Sequence, residues 1–226
     1  MFERAVVLDK QKHQHLRFQE VSSFKYASST TAAPIAASEF SKVAREFPIA
    51  FAREGRFLPV VFLGLQQGRN SCVSEDGRWT ADYIPAHLRR YPFVLGDQGN
   101  GEDFFVMADL RGLYSGFEGE PVFPENGNWK DGVLGRAEQF LISFERELKA
   151  TQELVRPLQD ADVLVNKTIT LSRADEIVAR VSNVSVVDPD RIAALDDATL
   201  TAWVRSGLMR LVHLHIESQR NWERLG

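Results

Sequence analysis

The sequence predicts an α+β protein, with an antiparallel, β-rich N-terminal half packed against a helix-rich C-terminal half. Three observations lead there. Residues 57 to 110 carry short apolar runs separated by Gly, Asp and Pro, the pattern of successive strands. Residues 133 to 155 carry apolar side chains at helical spacing. Between them, Gly112 to Trp129 holds four glycines and two prolines and reads as a connecting loop. The expected organisation is a single unit, 1–226, in which residues 1–111 are β-rich, 112–129 form a connection and 130–226 are helix-rich.

The totals are those of a globular chain. There are 226 residues, 44% of them hydrophobic, enough to bury a sizeable core. Net charge is -4 with no basic stripe, which argues against a dedicated nucleic-acid binder. Cys72 is the only cysteine, so an intrachain disulfide and a cysteine-based zinc site are both excluded. The apolar run Ala5 to Leu8 is too short for a signal-peptide core. The longest apolar run, Phe57 to Leu65, is too short to span a membrane. The expectation is a soluble, cytoplasmic protein without a transmembrane segment.

In chain order, Val6 to Leu8 reads as a short strand, and Lys10 to Arg17 as a solvated loop or edge strand. His13 and His15 would share a face if that stretch is extended, a start for a metal site that still needs a third ligand. Ser28 to Ala37 is small and turn-prone. Phe40, Val43, Ala44 and Phe47 predict a helix capped by Ser38 and stopped at Pro48. Phe57 to Leu65 reads as a buried strand, with Pro59 leaving its first residues unpaired or at an edge. Asp76-Gly77 predicts a hairpin turn between Ser71–Val73 and Trp79–Tyr83. Phe93 to Leu95 and Phe104 to Leu110 read as a second antiparallel pair across the polar connection Gly96 to Asp103, so that 57 to 110 would form one meander.

The clearest helix follows, with Val133, Leu134, Ala137, Phe140, Leu141, Phe144 and Leu148 on one face and Pro157 as its end. Glu145 and Lys149 have the order of a stabilising pair on the other face. Val163 to Leu171 reads as a strand. Ser172 and Asp175 match a capping box that would open a short helix through Val181, before a strand at Asn183 to Val187. Asp188-Pro189 starts a helix, Asp196 or Asp197 caps the next, and Gly207 closes it. A last helix is expected over Leu208 to Leu225.

The stretch Trp79 to Phe93, WTADYIPAHLRRYPF, is too apolar for a free loop and too rich in proline for one regular element. It reads as a pinned corner with buried rings. Arg89 and Arg90 are adjacent and should point different ways. Two readings stay open: one arginine clamps a buried carboxylate across the fold, or one binds an anionic ligand with its planar fork. Trp79 and Tyr83 would wall such a site, or simply be core. His215 lies in the apolar stripe of the last helix with Ser218 one turn on. That placement suits either a base beside a nucleophile or a buried histidine with one partner. His213 falls on another face. No phosphate loop, dinucleotide fingerprint, H-E-x-x-H, C-x-x-C or G-x-S-x-G occurs.

The corner W-x-x-x-Y-I-P-A-x-L-R-R-Y-P-F resembles the hallmark of the SapC-like family of bacterial proteins. Further similarities are Pro34 before Glu39-Phe40, Phe47-Pro48-Ile49, Gly64-Leu65 with Asn70, Gly119 with Phe123, Val187-Asp188, Gly207, and His215 with Ser218. The resemblance implies a link to a bacterial surface-layer locus and to neighbours of nutrient-uptake receptors and flavin-dependent halogenase-like proteins. It implies no reaction.

The expected function is therefore a cytoplasmic, non-catalytic binding or accessory protein for an anionic or peptide-like partner. The cleft would lie between the corner and the 112 to 129 loop, with Arg89, Arg90, Trp79, Tyr83 and His215 as ligand-binding residues. No catalytic residue, metal or cofactor is assigned, and the acidic, soluble character permits a homodimer. The alternatives are a histidine- or metal-dependent enzyme using His215 with His87 or the His13/His15 pair, and a surface-layer or envelope-associated structural protein.

Overall fold

The computed structural model describes residues 1–2, 4–52, 55–97, 104–124, 128–173 and 176–225. Strand β1 (Ala5–Val7), a single-turn helix α1 (Lys10–His13) and strand β2 (Leu16–Phe18) open the chain. They are followed by β3 (Ala32–Pro34), α2 (Phe40–Val43), β4 (Ile49–Phe51) and β5 (Pro59–Phe62). The corner contains α3 (Ala86–Arg89) and runs into β6 (Phe93–Asp97) and β7 (Phe104–Asp109). Short strands β8 (Tyr114–Ser115) and β9 (Glu120–Pro121) precede the long helix α4 (Val133–Asp160). The chain closes with β10 (Leu164–Arg173), β11 (Glu176–Val187), α5 (Pro189–Ala193), α6 (Asp197–Ser206), α7 (Leu208–Ser218) and a 3₁₀ segment, Gln219–Leu225.

The strands pair antiparallel in an α+β arrangement. The expected single meander over 57 to 110 is instead divided between sheets. β5 sits inside a five-stranded sheet ordered β10-β11-β4-β5-β3, whereas β6 and β7 join β1 in a three-stranded sheet. Pro59 is accommodated as the first residue of β5, where its missing N–H is not needed and its carbonyl accepts from Ile35 N at 3.0 Å. The corner is the passage from one sheet to the other. Between Ser71 and Tyr83 the predicted hairpin reduces to one bridge, Val73 to Trp79. The turn-prone 28 to 37 stretch supplies β3, and the 112 to 129 connection supplies β8 and β9, which flank β2. The centre of the Gly96 to Asp103 connection lies outside the described residues.

Side chains alternate across the five-stranded sheet as strand geometry requires. Ile49, Phe51 and Val61 face the main core with Phe40, Phe47, Leu88, Val155 and Leu158. Ala50, Val60 and Phe62 face a second cluster with Trp222 and Leu225. α4 crosses the whole assembly. Val133, Leu134 and Leu141 pack on β6 and β7 through Phe93 and Ala108. Phe144 and Leu148 pack on Leu58 and Ala86, and Val155 and Leu158 reach the main core. At about 1.5 Å per residue the helix is roughly 40 Å long, enough to reach from one sheet to the other.

Several local expectations are revised. Ser38 does not cap a helix; its hydroxyl donates to Glu147 of α4. α4 runs through Pro157 to Asp160, because a proline in the last turn removes only one hydrogen bond before the helix ends. Glu145 pairs with Arg56. The helix expected from Ser172 to Val181 is strand: β10 and β11 form one long hairpin. Asp175 lies outside the described residues. Between Lys167–Val184 and Ile169–Val181 the register shifts by an extra residue on β11, where Asn183 has φ +60, the left-handed conformation asparagine tolerates at a bulge. Two caps stand as read. Asp188 accepts from Asp190 N, and Asp196 accepts from Thr199 N at 2.9 Å. Gly207, at φ +84, ends α6 in the left-handed region. α7 stops at Ser218 and continues as 3₁₀ turns.

Candidate anion-binding groove

The corner is pinned by two carboxylates from the segment around α2. Glu39, 4% exposed, accepts from Ala86 N at 2.8 Å and Tyr83 Oη at 3.0 Å through Oε1, and from Ala36 N at 2.9 Å through Oε2. Glu46 accepts from Asp82 N at 2.7 Å and Tyr83 N at 3.1 Å. Corner backbone amides therefore take the carboxylates that an arginine would otherwise claim. The clamp reading of Arg89 and Arg90 is corrected on this ground. Neither guanidinium has an ion pair among the described residues.

Arg89 is exposed yet held. Its Nε donates to Ile84 O at 3.1 Å, and an Nη reaches Tyr83 Oη at 3.4 Å. The guanidinium lies 5.8 Å from the Tyr83 ring centre and 5.5 Å from that of Phe140, on α4. Burial and the neighbouring Glu39 push the Tyr83 hydroxyl up to about 12, so it stays protonated and donates. Arg90 turns the other way, over the Phe2 ring at 5.0 Å. It meets His87 Nε2 at 3.4 Å, and its Nε is buried without a hydrogen-bond partner. Burial pulls the Arg90 guanidinium down to about 10 and, with Arg90 and the N-terminus nearby, holds the His87 imidazole down at about 3.

Beside Arg89 opens a hollow of about 640 Å³. Phe24, Tyr26, Ile84, Tyr91 and Phe140 make its apolar walls, and Arg89, Arg136, Glu20 and Glu120 its charged rim. Tyr26 and Tyr91 stack with ring centres 3.9 Å apart, and Tyr26 Oη donates to Leu88 O at 3.0 Å. Arg136 is committed to Glu120. The 112 to 129 connection thus contributes Glu120, and most of the opposite wall comes from 18 to 26 and from α4.

Of the five residues expected here, Arg89 lines this hollow, Arg90 lines an adjoining recess, and Tyr83 supports Arg89 from behind. Trp79 is not a wall. Its ring packs on Phe24 and Phe47 and its Nε1 donates to Tyr83 O at 3.1 Å, so it braces the corner from within. His215 is apart from all of them, fully buried. Its Nε2 accepts from Val187 N at 3.0 Å, and Ser218 Oγ donates to His215 O and accepts from Ile49 N at 3.0 Å. With its lone pair engaged and burial holding it down at about 4, His215 is a poor base for an outside substrate. His13 lies in α1, where Nδ1 accepts from Asp9 N, so the extended-strand pairing with His15 does not arise. Among the described residues no group of three His, Cys, Asp or Glu side chains is placed to hold a metal ion. No helix of the described residues is long and apolar enough to cross a membrane.

Glu39, Glu46, Tyr26, Arg136 and Phe140 were not singled out for this site from sequence. Phe140 carried a signal as one of the apolar face of α4, and Glu39 only as part of the family resemblance. The carboxylates act on amides some 36 to 47 residues away, and no local pattern announces that.

Fold and groove together define an α+β protein in which a braced corner presents a guanidinium over an aromatic hollow. The sequence profile of the SapC family matches residues 8–225, and the chain belongs to that family. Comparison with curated proteins and with solved structures finds no match.

Proposed function

We propose that this chain is a binding or accessory protein, without catalysis of its own, whose groove holds a partner combining an anionic group with an apolar or peptide-like body. One observation carries the reading. Arg89 is fixed by a carbonyl, a hydroxyl and two rings, faces a large aromatic hollow, and has no carboxylate partner among the described residues. A guanidinium held in advance loses little freedom on binding and offers its remaining donors to a carboxylate or phosphate. The rings supply the apolar contact. A cytoplasmic site of action belongs to this proposal and agrees with the single, buried Cys72.

The test compares aromatic peptides bearing a free C-terminal carboxylate with their amides, using the parent chain and Arg89→Ala. The free acids should bind the parent more tightly, by about tenfold, the worth of one charge-assisted bond, and the difference should vanish in Arg89→Ala. Equal binding of acid and amide to the parent would remove the anion-binding role.

A further inference from the structure

Glu20 and Glu120 line the larger hollow, but the recess beside it is lined by arginines and by no carboxylate among the described residues. A recess of about 180 Å³ adjoins the main hollow and shares Arg89, Arg136, Tyr91 and Phe140 with it, while adding Arg90. Arg136 is matched by Glu120, and the nearby Glu145 is committed to Arg56. That leaves Arg89 and Arg90 uncompensated by ion pairs among the described residues. Arg90 is the more telling of the two. Its Nε is buried with no acceptor, and its other contacts are a long approach to His87 and the face of Phe2. A buried donor left unmade is unfavourable, and it marks a guanidinium that the chain's own groups do not fully satisfy.

We infer that the recess seats a doubly charged oxyanion, the head of a phosphate monoester, and that the larger hollow takes the apolar body esterified to it. This refines the anion-binding reading above and rests on it. Two unanswered guanidinium charges match the near-dianionic charge of a phosphate monoester at neutral pH. Two planar forks suit an oxygen-rich tetrahedral head. Aromatic walls suit a ring or chain. A carboxylate or a sulfate monoester would leave one cation unanswered.

The test uses 1-naphthyl phosphate, 1-naphthyl sulfate, 1-naphthol and inorganic phosphate, with binding followed by calorimetry and naphthyl fluorescence. At about pH 7.5 the naphthyl phosphate should bind about tenfold or more tighter than the sulfate, naphthol and inorganic phosphate more weakly still. The preference should shrink at about pH 5, where the monoester keeps one charge because its second ionisation lies near 6. Arg90→Gln should bring phosphate to the level of sulfate without weakening sulfate, and Arg90→Lys should retain some of the preference. Equal binding of phosphate and sulfate to the parent at about pH 7.5, or a preference undiminished at about pH 5, overturns the dianion inference while leaving the Arg89 reading in place. So does a preference untouched by Arg90→Gln. Should naphthol bind as well as both anions, the Arg89 reading falls too. If Arg90→Gln does not fold, the comparison of phosphate with sulfate on the parent at the two pH values decides alone.

Discussion

His215 Nε2 accepts the amide proton of Val187 at 3.0 Å, in the seam between β11 and β4. Three residues on, Ser218 does the same for Ile49, and Gln219 Nε2 donates to Ile49 O at 2.8 Å. Among the described residues the two strands share one paired position, Ser185 with Phe51. Side chains from the end of α7 thus substitute for ladder bonds where the strands diverge, and keep buried amides satisfied. His215→Ala should destabilise the fold by about 3 kcal/mol or more, through a lost acceptor and a cavity. Ser218→Ala should lose about 1–2 kcal/mol. Urea unfolding measures both, and a near-neutral His215→Ala would show that the seam does not depend on this bond.

Acid sensitivity follows from the same histidine and from His87. Burial holds His215 at about 4 and His87 at about 3, against 6.5 for an ordinary histidine. Between those values the unfolded chain binds protons that the folded chain refuses. Stability should therefore be highest above about pH 6.5 and decline as pH falls. The decline levels off near pH 4 for His215 and near 3 for His87, with a slope on the order of 1 kcal/mol per pH unit for each. Unfolding midpoints from pH 7 to 5 check the sign. A variant His215→Gln should show a shallower slope than the parent over about that range.

The corner's dependence on Glu39 can be tested with an isosteric change. Glu39→Gln puts an amide nitrogen where an oxygen accepts from Ala86, Tyr83 or Ala36. At least one buried donor then loses its acceptor. The expected loss is about 2–3 kcal/mol, together with weakened ligand binding, because α3 and Tyr83 carry Arg89. Thermal unfolding paired with calorimetry reads both, and an unchanged stability would mean that other contacts hold the corner.

Cys72 should behave as a reporter of global opening. It is buried, its Sγ lies 3.9 Å from Leu63 O, and burial with the nearby Glu46 pushes the thiol up to about 12. Almost no thiolate exists in the folded state near neutral pH. Iodoacetamide labelling, followed by mass spectrometry, should be slow in buffer and rapid in urea. Fast labelling of the native chain would place Cys72 in a region that opens locally.

The features legible in sequence were those governed by local rules. The 3.6-residue period gave α4, and Asp188-Pro189, Asp196 and Gly207 marked helix ends through chemistry confined to a few residues. The corner announced itself by density of rings and prolines. Its fastening did not, because Glu39 and Glu46 reach it only through the tertiary fold. The stretch after Ser172 failed for a definable reason. Serine and aspartate favour turns as well as helix caps, and Ile177, Ala179 and Val181 follow a period of two, which outranks the cap pattern. His215 showed the same ambiguity, since a histidine in an apolar stripe looks alike whether it serves a substrate or a strand.

The β10–β11 hairpin reaches beyond its neighbour, so among the described residues some of β11 and the outer side of β10 have no strand partner. Such a margin invites strands from other molecules to add on. The exposed Lys167 and Arg180 set like charges along it, and the bulge at Asn183 interrupts its register. Like charges and a bulge are the devices that discourage edge-to-edge addition of a second copy.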